Sequence, residues 1–196
     1  HPDYATSRWA RRQDLPLIEV LHHAAHASAV WGEAIAEQGV PFERPMLVFT
    51  WDGVGYGGDG TLWGGETLLG RPDAWERVGS VLPFKLPGGE SAGREPWRSA
   101  AGMCWTIGRE WMPELPGDEL ELVRHAFARN LNAPVTSAVG RIFDAASALL
   151  LGFERASYEA EGPMRVEALA RRGEAQSAGG PRLGISEEPV RELLAV

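Results

Sequence analysis

The 196 residues, 21.3 kDa in mass, are enough to bury the core of one or two domains. A mean hydropathy of -0.21 without a long apolar run argues against a membrane span. A formal charge of -8 with a pI near 5.2 disfavours non-specific nucleic-acid binding. The single cysteine, Cys104, excludes an internal disulfide and fits a reducing, cytoplasmic compartment. Its neighbours Met103 and Trp105 mark it as a buried, inert thiol rather than a nucleophile. No signal peptide is legible. An opening of His1-Pro2-Asp3-Tyr4 without methionine is the expectation of a piece of something longer.

In chain order, Arg8–Gln13 reads as a short helix with a solvated basic face. Leu17-Ile18-Glu19-Val20-Leu21 reads as a strand. Three of the 5 histidines follow within one window, His22, His23 and His26. If that window opens a helix, His22 and His26 share a face with Cβ atoms roughly 5–6 Å apart, a spacing that suits two imidazoles on one metal ion. His23 points elsewhere. The zinc-protease motif HExxH needs a glutamate base where this chain has His23, so a zincin reading fails on its chemistry. The alternative is a histidine cluster with no metal, and two histidines require a third ligand. Apolar residues at helical spacing carry the helix to Gln38, with Gly39 as its stop and Pro41 beyond.

Pro45–Trp51 reads as a buried strand that ends in the glycine-rich turn Asp52-Gly53-Val54-Gly55-Tyr56-Gly57-Gly58-Asp59-Gly60. Such a turn can bring backbone N–H groups against phosphate oxygens, and Asp52 is a candidate third metal ligand or magnesium contact. It can equally be a β-hairpin tip with Asp52 as its cap, because Thr61–Leu69 looks like the returning strand. Trp75–Leu82 is a further strand. After the loop Pro83–Glu90, Pro96 opens a helix. Arg94 and Arg98 can bind an anion or pair with Glu90 and Glu95. Glu119–Asn130 is a short amphipathic helix. Thr136 or Ser137 caps a helix that runs to Leu151 and closes at Gly152, its N-terminal amides favouring an anion. Tyr158–Arg172 is another helix, Gly173–Gly184 a loop, and Glu187–Val196 a last short helix.

Six ordered segments resemble the HypF family of hydrogenase-maturation carbamoyltransferases, within the domain it shares with TsaD-type tRNA-modifying proteins. His1-Pro2-Asp3-Tyr4 with Ser7-Arg8-Trp9-Ala10 is similar to HPDY…STR(W/F)A, and His22-His23-Ala24-Ala25-His26 to HHxAH. Asp52–Gly57 with Gly60–Glu66 resembles DGTGYG…GTxWGGE, and Leu86–Glu90 with Arg94–Arg98 resembles LPGGD…REPWR. Thr136–Ala146 is similar to TSSxGRLFDAVA, and Tyr158-Glu159 with Met164 and Glu167-Ala168-Leu169 to YEGxAAMxLEALA. The resemblance implies one lobe of the actin/sugar-kinase/heat-shock-ATPase (ASKHA) fold, an α/β mixed sheet flanked by helices, over residues 1–172, with 173–196 leading into a missing C-terminal part.

It further implies ATP-dependent chemistry, in which this domain moves a carbamoyl group from carbamoyl-adenylate to the C-terminal cysteine of a HypE-type acceptor. The thiocarboxamide so formed becomes cyanide for the [NiFe]-hydrogenase iron. By resemblance His22, His26 and Asp52 match ligands of a divalent metal, iron or zinc. Gly53, Val54 and Gly55 match the phosphate-facing turn, and Ser137 lies near the nucleotide. A further metal-binding aspartate, a C-terminal glycine-rich nucleotide segment and the family's upstream domains are not found in this sequence, and Ala160 stands where the YEG motif has glycine. The piece is therefore expected to bind metal or nucleotide weakly and not to turn over alone. Competing readings are an antibiotic O-carbamoyltransferase, a tRNA threonylcarbamoyl transferase lobe, and a non-catalytic domain that docks a thiol-bearing partner.

Overall fold

The computed structural model describes residues 1–111, 113 and 118–174. The loop expected after Glu174 and the helix expected over 187–196 lie outside the described residues. Residues His1–Val166 form one compact unit, and Glu167 opens a second. Of that second unit, residues 167–174 are the end of a helix in which Arg171 pairs with Glu167 at 2.5 Å.

The first unit is a mixed sheet flanked by helices, as expected. Its elements are α1 (Ala5–Ala10), α2 (His22–Gln38), β1 (Met46–Tyr56), β2 (Leu62–Gly70), β3 (Glu76–Ser80), β4 (Phe84–Lys85), a 3-10 turn (Gly89–Gly93), α3 (Pro96–Thr106), α4 (Glu119–Ala128), β5 (Val135–Thr136), α5 (Val139–Leu151) and α6, which runs Glu161–Glu174. The order β1-β2-β5-β4 makes β2 central, with β1 along one edge and both β3 and β5 on the other. The β2–β5 pair is parallel through Leu62 and Thr136; the remaining pairs are antiparallel.

The alternation on β1 explains what covers the sheet. Val48 and Thr50 are buried, and Val48 packs with Ala27 of α2 and with Trp63 and Leu68 of β2. On α2 the buried residues His23, Ala27, Trp31 and Ala34 recur at helical spacing, so one stripe faces the sheet. α3 and α5 cross on small residues, Ala100 against Ala145 and Ala148, which lets the two backbones approach closely. Trp97 and Ala101 of α3 pack with Leu120 and Val123 of α4. No helix among the described residues is long and apolar enough to cross a membrane.

Several expectations change. Leu17–Leu21 is extended but no strand: among the described residues it has no β partner, and Ile18 is 83% exposed. A short apolar run reports the wish to be buried, not the partner that would satisfy it. β1 does not stop at Trp51 but continues to Tyr56, and the turn is confined to Gly57–Gly60. The hairpin tip is organised by Asp59, not Asp52. Asp59 Oδ1 accepts from the Thr61 N–H at 3.0 Å, the Thr61 hydroxyl at 2.7 Å and the Trp63 indole at 3.1 Å. α5 begins at Val139 without a side-chain cap, because Thr136 belongs to β5 and its hydroxyl accepts from the Ala138 N–H. α6 starts at Glu161 rather than Tyr158. Gly39 and Gly152 do end their helices in the left-handed region, at φ 65° and 61°. Cys104 is half-buried, and burial pushes its thiol up, consistent with an unreactive group.

The backbone before α6 keeps the conformation that the family motif reserves for glycine. Ala160 has φ 62°, where a Cβ costs roughly 1–2 kcal/mol. Ala160→Gly removes that strain and adds about 0.5–1 kcal/mol of chain entropy in the unfolded state. A net gain of up to about 1.5 kcal/mol is expected, read as a higher midpoint in urea.

Candidate metal centre

Three sequence segments build the site. Leu21 is extended (ψ 144°), and His22 is the first residue of α2, so its ring projects from the helix start and the His26 ring lies one turn on. The two rings stand edge to face, 4.5 Å between centroids. Asp52 reaches them from β1 because β1 is irregular there. Trp51 pairs with Gly65 and Gly55 with Trp63, so Asp52, Gly53 and Val54 lie opposite the single residue Gly64. A bulge of this kind re-aims a side chain.

The result is a tight triangle. His22 Nε2 lies 2.6 Å from Asp52 Oδ2, His26 Nε2 lies 3.2 Å from His22 Nε2, and His26 Nε2 lies 4.0 Å from Asp52 Oδ2. One donor atom from each residue falls within 4.8 Å of the others. A single imidazole proton can at best be shared between the carboxylate and the second ring, whereas a divalent cation is bound by both nitrogens and the oxygen together. The donor set therefore fits a metal, and two imidazoles with a carboxylate suit iron and zinc alike. Burial pushes the Asp52 carboxyl up, but the N–H of Gly53, which donates to Oδ1 at 2.6 Å, and His22 outweigh it and hold the group below the usual carboxylate range. Asp52 is thus a carboxylate at neutral pH, as a ligand must be.

Not every expected residue lines the site. Gly53, Val54 and Gly55 are in the β1 bulge, not in a turn. The Gly53 N–H is already engaged by Asp52, and the Gly53 carbonyl accepts from Arg141 Nε at 3.4 Å. A Cβ on Gly55 would stand 2.5 Å from His23 Cε1 and 2.9 Å from His22 Cδ2, so this glycine admits the two rings. Val54 is exposed, and the space where a Gly53 Cβ would go is open. Ser137 is buried, and its hydroxyl donates to Glu66 Oε1. The contact arises because β5 and β2 are adjacent there. Arg98 pairs with Glu95 and, at 2.8 Å, with Glu119 rather than with Glu90, while Arg94 is exposed.

Residues that sequence reasoning left without a role hold the bulge. Glu66 is fully buried on β2; its Oε2 accepts from the N–H of Gly64 at 2.5 Å and of Gly65 at 2.8 Å, and Arg77 lies 3.3 Å from Oε1. A Cβ on Gly64 would lie 2.8 Å from the Asp52 carbonyl, one on Gly65 2.3 Å from the Ser137 carbonyl, and one on Gly140 2.7 Å from Gly53 Cα. β1, β2 and the start of α5 thus meet backbone to backbone around Asp52. The signal was the repeated Gly-Gly-Glu in the motif, which marks close approach as readily as a turn. Arg141 of α5 bridges the Gly53 and Ala92 carbonyls and lies 2.7 Å from Asp144 Oδ2.

Comparisons with known proteins show the family. A family model described as "Carbamoyltransferase, Kae1-like Domain, second subdomain" matches residues 48–193, and one described as "HypF Kae1-like domain" matches residues 1–33. The chain belongs to the HypF family. The HypF2 carbamoyltransferase of Cupriavidus necator is 40% identical over 93% of this chain and 23% of its own length. The HypF of Rhizobium leguminosarum bv. viciae is 37% identical over 99% of this chain and 25% of its own. A crystal structure of full-length HypF in a phosphate- and nucleotide-bound form superposes with a TM-score of 0.75 at 31% identity, covering 86% of this chain and 22% of that one. T. kodakarensis HypF gives 0.73 at 30%, covering 88% and 24%. The chain thus spans about a quarter of the length of these HypF proteins.

Two predictions test the framework. Glu66→Gln places an amide among donors and should cost about 3 kcal/mol, seen as an earlier urea midpoint. The second concerns Asp144, whose burial pushes its carboxyl up to about 6 against the opposing charge of Arg141. Its folded value lies above that of the unfolded chain, so the folded state holds the proton more firmly. Its contribution is greatest below about pH 4 and is lost as pH rises through about 6, by up to about 3 kcal/mol. Asp144→Asn should flatten that part of the stability profile between pH 4 and 6, measured by denaturation at each pH.

Proposed function

We propose that this chain is the part of a HypF-type carbamoyltransferase that holds the metal and receives carbamoyl-adenylate, made from carbamoyl phosphate and ATP, for transfer to the C-terminal cysteine thiol of a HypE-type acceptor. The observation that carries the reading is the convergence of His22, His26 and Asp52 from two elements onto one point. Iron or zinc bound there would supply positive charge beside the adenylate phosphate and a fixed site for the acyl donor. Asp52 is held for this by Gly53 and the bulge. The open space over Gly53 and the exposed Val54 leave room for a phosphate next to the carboxylate.

A cleft of about 400 Å³ begins at His26 and Asp52 and runs between α2 and β1, walled by Val30, Phe49 and Trp51, a size ordinary for a small-molecule site. Its walls offer apolar surface for the acyl donor, Phe49 and Trp51 both standing exposed along it. The free thiol of Cys104 suits a reducing cytoplasm. Neither nucleic acid nor membrane enters this reading.

Metal analysis tests it. The purified chain is expected to take up zinc or ferrous iron, and the double variant His22→Ala/His26→Ala to lose it. Equal metal content in the two proteins would favour a docking domain with structural histidines. In the protein whose reading frame carries this chain, Asp52→Ala should abolish thiocarboxamide on the acceptor's terminal cysteine, followed by mass spectrometry; unchanged transfer refutes the proposal.

A further inference from the structure

His23 stands beside the metal site and has no role in it so far. Its ring is fully buried, yet among the described residues neither Nδ1 nor Nε2 has a hydrogen-bond partner. An apolar residue would fill the same space without leaving polar atoms stranded, and a buried polar group left unpaired in a native structure asks for an explanation. The ring is packed on three sides: edge-on against His22 at 5.1 Å, tilted on Trp63 at 6.0 Å, and over Gly55, where a side chain would collide with Cε1. On the remaining side Nε2 points toward Asp52 Oδ2, 4.0 Å away.

His22 Nε2 lies 2.6 Å from the same oxygen. A ligating imidazole nitrogen presents a lone pair, not a proton, so His22 cannot donate to that oxygen and bind a cation with the same atom. Gly53 continues to hold Oδ1, but Oδ2 is left without a protein donor among these contacts. Metal-bound carboxylates are themselves hydrogen-bonded, and those outer partners set ligand orientation and affinity.

Resting on the metal reading above, we infer that His23 is a positioning residue, whose Nε2–H serves as the donor to Asp52 Oδ2 when His22, His26 and Asp52 hold a cation. The movement required is about 1 Å, the difference between the present separation and an ordinary N–H···O bond. Gly55 supplies the freedom for it, having no side chain to wedge the ring. The inference also gives a reason for the doubled histidine at the helix start: the first ring binds and the second holds the carboxylate ligand.

Cobalt(II) titration of the full 196-residue chain, followed by its visible absorption, tests this without any activity measurement. Three proteins are compared: wild type, His23→Phe, which fills the space without a donor, and His23→Gln, whose side-chain amide can place an N–H near the imidazole Nε2. His23→Phe is expected to bind cobalt about 10–100-fold more weakly, with an altered spectrum and an unreduced melting temperature in the metal-free state. His23→Gln should recover most of the affinity and the wild-type spectrum. Binding by His23→Phe equal to wild type, or His23→Gln no better than His23→Phe, overturns the inference and leaves the metal site standing. Wild-type protein that binds no cobalt overturns both. Should His23→Phe fail to fold, His23→Leu against His23→Gln carries the same comparison.

Discussion

The structure depends on one close approach: the backbones of β1, β2 and the start of α5 touching around Asp52 and Gly53. Three β1 residues lie opposite Gly64 alone, and Gly140 of α5 sits on Gly53. Backbones can meet that closely only where no Cβ intervenes, which is why Gly64, Gly65 and Gly140 cluster there. Their crowding turns the carboxylate of Asp52 out of the strand's regular alternation and toward the first turn of α2. A side chain on any of the three would separate the elements and move the ligand.

Close packing of peptide groups leaves N–H donors out of reach of water, and Glu66 answers that requirement. It collects two backbone amides, the Ser137 hydroxyl and Arg77 from β3 at one fully buried carboxyl group. Arg77 extends the connection to Asp59 at the hairpin tip, 3.1 Å away, and covers the Trp63 ring at 4.7 Å. The hairpin, β3 and the segment leading into α5 are thereby tied through charge-assisted hydrogen bonds in a low-dielectric interior, where a partner lost leaves others unsatisfied. Arg141 does the same at the opposite side of the bulge. The three residues of the candidate metal centre are more exposed by comparison, His26 by 58% of its side chain, and a buried scaffold holds what the surface presents.

Much of the fold was legible in local pattern. The α2 stripe, its stop at Gly39, the hairpin of β1 and β2, and Pro96 at the start of α3 follow from periodicity and from what glycine and proline do to a backbone. Errors came where a side chain answered to a distant partner. Leu17–Leu21 has strand composition but no neighbouring strand, and Ser137 looked like a helix cap but reaches Glu66 on β2. The stretch Gly53–Gly55, read as a turn, lies within β1, where Gly55 makes room for the rings of His22 and His23.

The amino-acid sequence by itself determined which chemistry was available: two imidazoles one helical turn apart, a carboxylate after an apolar strand, and glycines in clusters. Helical spacing is a local property, so the pairing of His22 with His26 could be read without coordinates. Bringing Asp52 to them could not, because it depends on a two-residue register irregularity between strands and on the contact of α2 with β1. The same holds for the difference between His22 and His23. Adjacent residues on a helix point about 100° apart, and only the position of the sheet decides which ring is buried and which is left to bind.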